Sequence, residues 1–156
     1  MNDLQPLAVL LGQHERQRDA AIADHQRALQ AVEAANAQAR QLQTYRREYE
    51  QRWSAQFRLE GQMELVRCYQ SFTERLTQAV DHQQRIAEQA VQQAERAMTA
   101  LREVELRCAS VRKLIERRLL EQRVDADRRD QKQSDEFASR AAWNNRLGAN
   151  GGPRLM

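Results

Sequence analysis

The sequence predicts an all-α protein: two long helices folded back on each other as an antiparallel coiled-coil hairpin, the second helix longer and projecting at its C-terminal end. Three observations carry this. Gly is 5, Pro is 2 and aromatics are 5% of 156 residues, while charged residues reach 30%; that is the composition of long helices, not of a fold with many turns. No proline lies between Pro6 and Pro153, and from Gln62 to Leu147 there is neither glycine nor proline, so nothing there interrupts a helix. Apolar residues recur at spacings of three and four, a period that a disordered chain would not keep even at a mean hydropathy of −0.87.

The first helix is expected over 1–57, with Asp3 as N-cap and Pro6 tolerated in the first turn. Its apolar stripe reads Ile22, Leu29, Val32, Ala35, Ala39, Leu42, Tyr45, Tyr49 and Trp53. A turn follows at 58–63, inside SAQFRLEGQME (54 to 64), where Gly61 supplies the positive φ. The second helix is expected over 64–146. Its stripe is Leu65, Tyr69, Phe72, Leu76, Ala79, Gln83, Ile86, Ala90, Ala94, Ala97, Leu101, Val104, Cys108, Val111 and Ile115, a coiled-coil seam. The 4-4 step from Ile86 to Ala94 makes a local eleven-residue repeat, which relaxes the left-handed supercoil. Gly148, Gly151, Gly152 and Pro153 stop the helix, leaving 147–156 as a disordered tail of what is otherwise one domain.

Helices joined by so short a turn pack antiparallel. Counted from the turn, the first helix runs out opposite about residue 115, where the stripe also ends, so roughly 30 residues (about 45 Å) of the second helix have no intramolecular partner. Acidic residues precede Arg by four at 48/52, 81/85, 103/107, 125/129 and 136/140. Such pairs each add about 0.2–0.5 kcal/mol to a helix, and the last two account for a helical stretch that buries nothing. On that stretch Phe137 and Trp143 are the large apolar residues, following a dozen residues (125 to 136) whose sole apolar member is Ala126.

Several function classes are disfavoured. No phosphate-binding G-x-x-x-x-G-K-[ST] loop, G-x-G-x-x-G or H-E-x-x-H motif is present. His14, His25 and His82 are scattered, and Cys68 and Cys108 fall on one helix about 60 Å apart, too far to pair. No metal, cofactor or enzymatic activity is expected. Net charge is only +3, and although the basic run from 107 to 129 is dense in arginine, Glu116, Glu121, Asp125 and Asp127 break it and no stacking aromatics interleave, so nucleic acid is not expected. Arg112, Lys113, Arg117 and Arg118 remain a docking patch for an acidic protein surface. No apolar run reaches the ~20 residues a bilayer span needs, and the start MNDLQPLAVLLGQ lacks the basic n-region of a signal peptide. The expectation is a cytosolic protein without direct membrane insertion.

Three segments together resemble the flagellar type III export protein FliJ. LQTYRREY (42 to 49) is similar to that family's L-x-x-Y-R-x-E-Y run, YQSFTERLTQAV (69 to 80) to its Y-x-x-F-x-x-x-L-x-x-A segment, and DQKQSDEFASRAA (130 to 142) to its D-Q-K-x-x-D-E-F-A-x-R-x-A ending. The third is the most specific, because no seam dictates its residues. Trp143 and the Gly/Asn-rich tail depart from the pattern. The resemblance implies an antiparallel coiled-coil stalk, monomeric when free, associated with the flagellar export ATPase hexamer, with the cytoplasmic domain of the membrane export gate and with export chaperones. It implies a cytoplasmic location, peripheral to the inner membrane at the flagellar basal body. It further implies that Tyr69, Phe72, Leu76 and Ala79 contact the gate, and that Phe137, Ala138 and Arg140, with Trp143 beside them, meet the ATPase. The alternatives are the injectisome stalk counterpart of virulence-type secretion, or a generic tethering coiled coil.

Overall fold

The computed structural model describes residues 4–59 and 63–150, and its two elements are α1 (Leu4–Leu59) and α2 (Met63–Asn150). The expected N-cap Asp3, the turn glycine Gly61 and the stop residues Gly151, Gly152 and Pro153 lie outside the described residues. Helix α2 continues through Gly148 to Asn150.

Two units contain these helices, Gly12–Cys108 and a second joining Met1–Leu11 to Ala109–Met156. In the first unit the helices pack side by side and antiparallel. Gln83 Nε2 donates to the Ala35 carbonyl at 3.3 Å, and the Tyr49 ring stacks on Tyr69 at 5.9 Å, so residues late in α1 meet residues early in α2. This is the expected antiparallel hairpin, with the second helix the longer.

The seam differs from its sequence reading at specific positions. On α2 the three-four series withdrawn from solvent runs Leu76, Val80, Gln83, Ala87, Ala90, Ala94, Ala97, Leu101, Val104 and Cys108, with Tyr69 and Phe72 half-buried before it and Met98 half-buried beside Ala97. Ala79 and Ile86, expected in the stripe, are exposed, and their neighbours Val80 and Ala87 take the seam instead. From Val80 onward the spacing is therefore an unbroken alternation of three and four, and no eleven-residue repeat lies between Ile86 and Ala94. The 4-4 step sits at Phe72, Leu76 and Val80, so the relaxed supercoil belongs there. The physical reason is spacing: Val80 and Ala87 are the neighbours that keep the three-four alternation with Gln83 and the close-packed Ala90, Ala94 and Ala97, so the larger residue enters the seam at one site and the smaller at the other.

Helix α1 shows the same effect. Leu29 and Tyr45, expected in its stripe, are exposed, and the three-four series runs His14, Arg18, Ala21, His25, Ala28, Val32, Ala35, Ala39, Leu42, Arg46, Tyr49 and Trp53, all at least partly withdrawn. Long basic side chains can lie along apolar surface with the charged end in water, so Arg18 and Arg46 cover the seam without burying charge. Arg18 keeps its guanidinium on the Asp19 carboxylate at 3.1 Å, and that hydrogen bond raises its pKa above the ordinary arginine value.

Gln83 is a buried polar side chain in this seam. Its amide bonds a carbonyl that is already the acceptor of a helix bond, which is possible because a carbonyl has two lone pairs. Cys108, 1% exposed, closes the set in this unit. In the other unit Leu4, Leu7 and Leu11 of α1 and Val111, Leu114 and Ile115 of α2 are the withdrawn residues. None of the five expected acid–arginine pairs closes to ion-pair distance among the described residues; the side-chain bond on the late stretch is Gln131 Nε2 to Asp135 Oδ1 at 3.1 Å. Exposed ion pairs gain little over solvated rotamers.

The seam assignment has a direct test. Val80→Ala removes two methyls from a 2% exposed site and is expected to cost about 1–2 kcal/mol. Ile86→Ala removes more atoms yet is expected to cost less, under about 1 kcal/mol, because it lies beside the seam and is already 38% exposed. Urea denaturation followed by circular dichroism checks the order.

Candidate partner-docking surfaces

Near the connection the sequence places four aromatics on α1 and two on α2, and the fold gathers them. Tyr49 lies 4.3 Å from Phe72, centroid to centroid, and stacks on Tyr45 and Tyr69. Trp53 meets Tyr69 at 5.8 Å, and Phe57 meets the same ring edge-on at 5.2 Å. Tilted and edge-on pairs of this kind are worth about 0.5–1.5 kcal/mol each beyond their burial. Withdrawal from solvent raises the Tyr49 phenol above its usual pKa, against the lowering effect of its hydrogen bond with Trp53.

This cluster decides how the first set of site residues is presented. Tyr69 and Phe72 are half-buried members of it, Leu76 is buried under the seam, and Ala79 is exposed. The structure thus brings Tyr69 and Phe72 together and turns Leu76 away from solvent. Ala79 and the uncovered edges of the two rings are what this region offers.

The second set stands on a different kind of surface. From Glu116 to Ala149 every side chain of α2 is exposed. Phe137 is 76% exposed and Trp143 62%, with Ala138 and Arg140 exposed between them. Helix-forming residues without glycine before Gly148 keep the backbone regular here, so the helix persists although it has nothing to bury. Phe137 and Trp143, six residues apart, fall on different faces. A furrow along Arg128, Gln131, Lys132, Asp135 and Ser139 is the space between side chains of a single helix.

Arg112, Lys113, Arg117 and Arg118 are all exposed, with Glu116 interleaved. Sequence reasoning passed over Leu119, Leu120 and Val124 on the same exposed stretch. Leu120 and Val124, four apart, share one face with Arg117 three residues before. The available signal was their position beyond Ile115, where the seam ends.

Among the described residues no group of three or more His, Cys, Asp or Glu is placed to hold a metal ion, and no helix is long and apolar enough to cross a membrane. Cys68 and Cys108 are both free, the first exposed and the second buried.

A family model described as flagellar FliJ protein matches residues 3–147. The chain belongs to the FliJ family. Neither the curated proteins nor the solved structures yield a match. FliJ membership makes this a coiled-coil protein associated with flagellar export, in a family of non-catalytic export adaptors. The match reaches from the start of α1 to Leu147 and so takes in the exposed stretch as far as that residue, Phe137 and Trp143 included. The stretch therefore belongs to the FliJ pattern.

The two thiols serve as built-in reporters of the seam. Cys68 is expected to react with a maleimide at the rate of an exposed thiol, while Cys108 is expected to stay protected until the hairpin opens, with labelling slower by at least about a hundredfold. Equal rates in native buffer would remove Cys108 from the seam.

Proposed function

We propose that this chain is a stalk-like adaptor of the flagellar type III export apparatus, set between the export ATPase hexamer and the membrane export gate. The bare stretch of α2 from Glu116 to Ala149 carries this reading. A helix of roughly 50 Å that covers none of its own chain is poor economy for a self-sufficient fold, and its composition is that of a docking surface: two exposed aromatics among arginines, the residue types that dominate binding energy in interfaces. In this reading Phe137, Ala138, Arg140 and Trp143 contact the ATPase ring, and the basic residues Arg112, Lys113, Arg117 and Arg118 meet an acidic surface on the same partner.

The gate would be met near the connection, through Ala79 and the free edges of Tyr69 and Phe72. Leu76 would act from beneath by holding Phe72 in place. Export chaperones would use the remaining hairpin surface. The protein would work in the cytoplasm as a monomer, peripheral to the inner membrane at the flagellar basal body. Mechanistically the helix is the coupling element. A run of main-chain hydrogen bonds uninterrupted by glycine or proline resists local bending, so a displacement at one end is carried along it. The flagellar FliJ match favours this version over an injectisome counterpart.

Truncation after Val124 is expected to abolish stimulation of the export ATPase while leaving the hairpin's melting curve unchanged. Stimulation at the full level by the truncated chain would end the ATPase reading. For the gate, Phe72→Ala with Ala79→Asp is expected to lower capture of the purified cytoplasmic gate domain at least about tenfold. Undiminished capture by a folded variant would move the contact elsewhere.

A further inference from the structure

The two flanks of the hairpin in Gly12–Cys108 differ in what they expose. One flank is marked by a shallow groove between Asp24 and Arg27 of α1 and Gln93 and Arg96 of α2. It is nearly balanced in charge, with Arg27 held by Asp24 at 2.9 Å.

The other flank is different. Leu29 follows the seam residue Ala28 by one position, a rotation of about 100°, on the side away from Asp24 and Arg27. Ile22 lies seven residues before it, hence on the same flank in a coiled coil. On α2, Val91 and Met98 are likewise seven apart, on the side away from Gln93 and Arg96. Ala21 and Ala28 of α1 line one groove with Gln93 and Ala100 of α2. The antiparallel register fixed by the Gln83 bond to the Ala35 carbonyl, carried along both helices at equal rise, sets Leu29 level with Val91 and Ile22 level with Met98. Leu29 is 49% exposed and Val91 40%; Ile22 and Met98 are half-buried.

Carboxylates surround these four aliphatic residues. Glu33 lies one turn after Leu29, Glu88 one turn before Val91, and Glu95 between Val91 and Met98, all exposed. Arg102 adds one cation on the same side, and Asp19 is already occupied by Arg18. An acidic rim has thus formed around an apolar strip on a chain whose net charge is +3. Single exposed leucines are ordinary, but two facing aliphatic pairs edged by glutamates match the way an amphipathic helix is gripped, by apolar anchors at i, i+3/i+4 and i+7 with charges alongside.

We propose that this flank is the docking site for a basic amphipathic helix of a partner protein. The partner's apolar face lies along Ile22, Leu29, Val91 and Met98, and its Lys or Arg side chains reach Glu33, Glu88 and Glu95. The site is distinct from the bare end of α2 and does not rest on the ATPase reading; either can fail without the other.

The test uses the full chain and two fluorescein-labelled synthetic 21-residue helices with the same leucine stripe, one flanked by Lys and Arg, the other by Glu. The basic helix is expected to bind at least about tenfold more tightly by anisotropy, and less tightly as salt rises. Leu29→Ser with Val91→Ser is expected to weaken the basic helix at least about tenfold. Tyr45→Ser with Ile86→Ser, equivalent exposed apolar residues on the groove flank, is expected to leave binding unchanged. Glu88→Gln with Glu95→Gln, which touches no apolar contact, is expected to weaken binding and flatten its salt dependence. Circular dichroism confirms that each variant is folded. Absence of binding, equal binding of the two peptides, or equal loss from both flank variants overturns the proposal. So does a concentration-dependent dimer in sedimentation velocity that Leu29→Ser with Val91→Ser abolishes, since the flank would then belong to a second copy.

Discussion

A helix can bury only what another helix covers, and here α1 has 56 residues and α2 has 88. That inequality organises the molecule. From Glu116 to Ala149 no residue of α2 is withdrawn from solvent, and among the described residues α1 contributes its first apolar cover at Leu4. What lies beyond is helical because its residues favour helix and lack the two that forbid it, with no tertiary contact to thank. Isolated helices of such length can persist in water when propensity is high along their whole run, and the preceding packed turns remove the nucleation cost.

Within the packed part, stability is distributed unevenly. The middle of the seam is alanine on α2 and alanine with His25 and Val32 on α1, so each contact removes little apolar surface, roughly 25 cal/mol per Å² of it. The aromatic cluster near the connection supplies larger side chains, and Leu101, Val104 and Cys108 do so on the far side of the alanines. Gln83 is set among small residues where its amide can reach the Ala35 carbonyl. Buried polar groups at seam positions are a known way to fix one register against its neighbours. The bond also explains why a glutamine is tolerated where an unpaired amide would cost about 1–3 kcal/mol.

The fold class, the antiparallel pairing and the bare C-terminal stretch were legible in the sequence, because glycine and proline are so rare and because the apolar period stops at Ile115. Helix rotation was legible only to within one residue. At Ala79–Val80 and Ile86–Ala87 two apolar residues are adjacent, and periodicity scores both without regard to size. Packing selects the smaller at one site and the larger at the other, according to which keeps the three-four alternation with Gln83. On α1 the seam passes through His14, Arg18, His25 and Arg46, which hydrophobicity alone would never choose; the arginine stems cover apolar atoms while their guanidinium groups stay wet. The exposed aromatics Phe137 and Trp143 could be picked out because no seam claims them. The acidic flank around Leu29 and Val91 could not, since it exists only once two helices stand in one particular rotation and register.

The bare stretch also bears on how this protein can vary. At a packed position such as Val80, a substitution is judged first by whether the fold survives it. From Glu116 to Ala149 that filter is nearly absent: apart from glycine and proline, most replacements change folding free energy by no more than about half a kcal/mol. Drift there is free to retune affinity, charge and shape toward whatever surface it meets, and a matched change on that surface can follow without either molecule passing through an unfolded intermediate in its history.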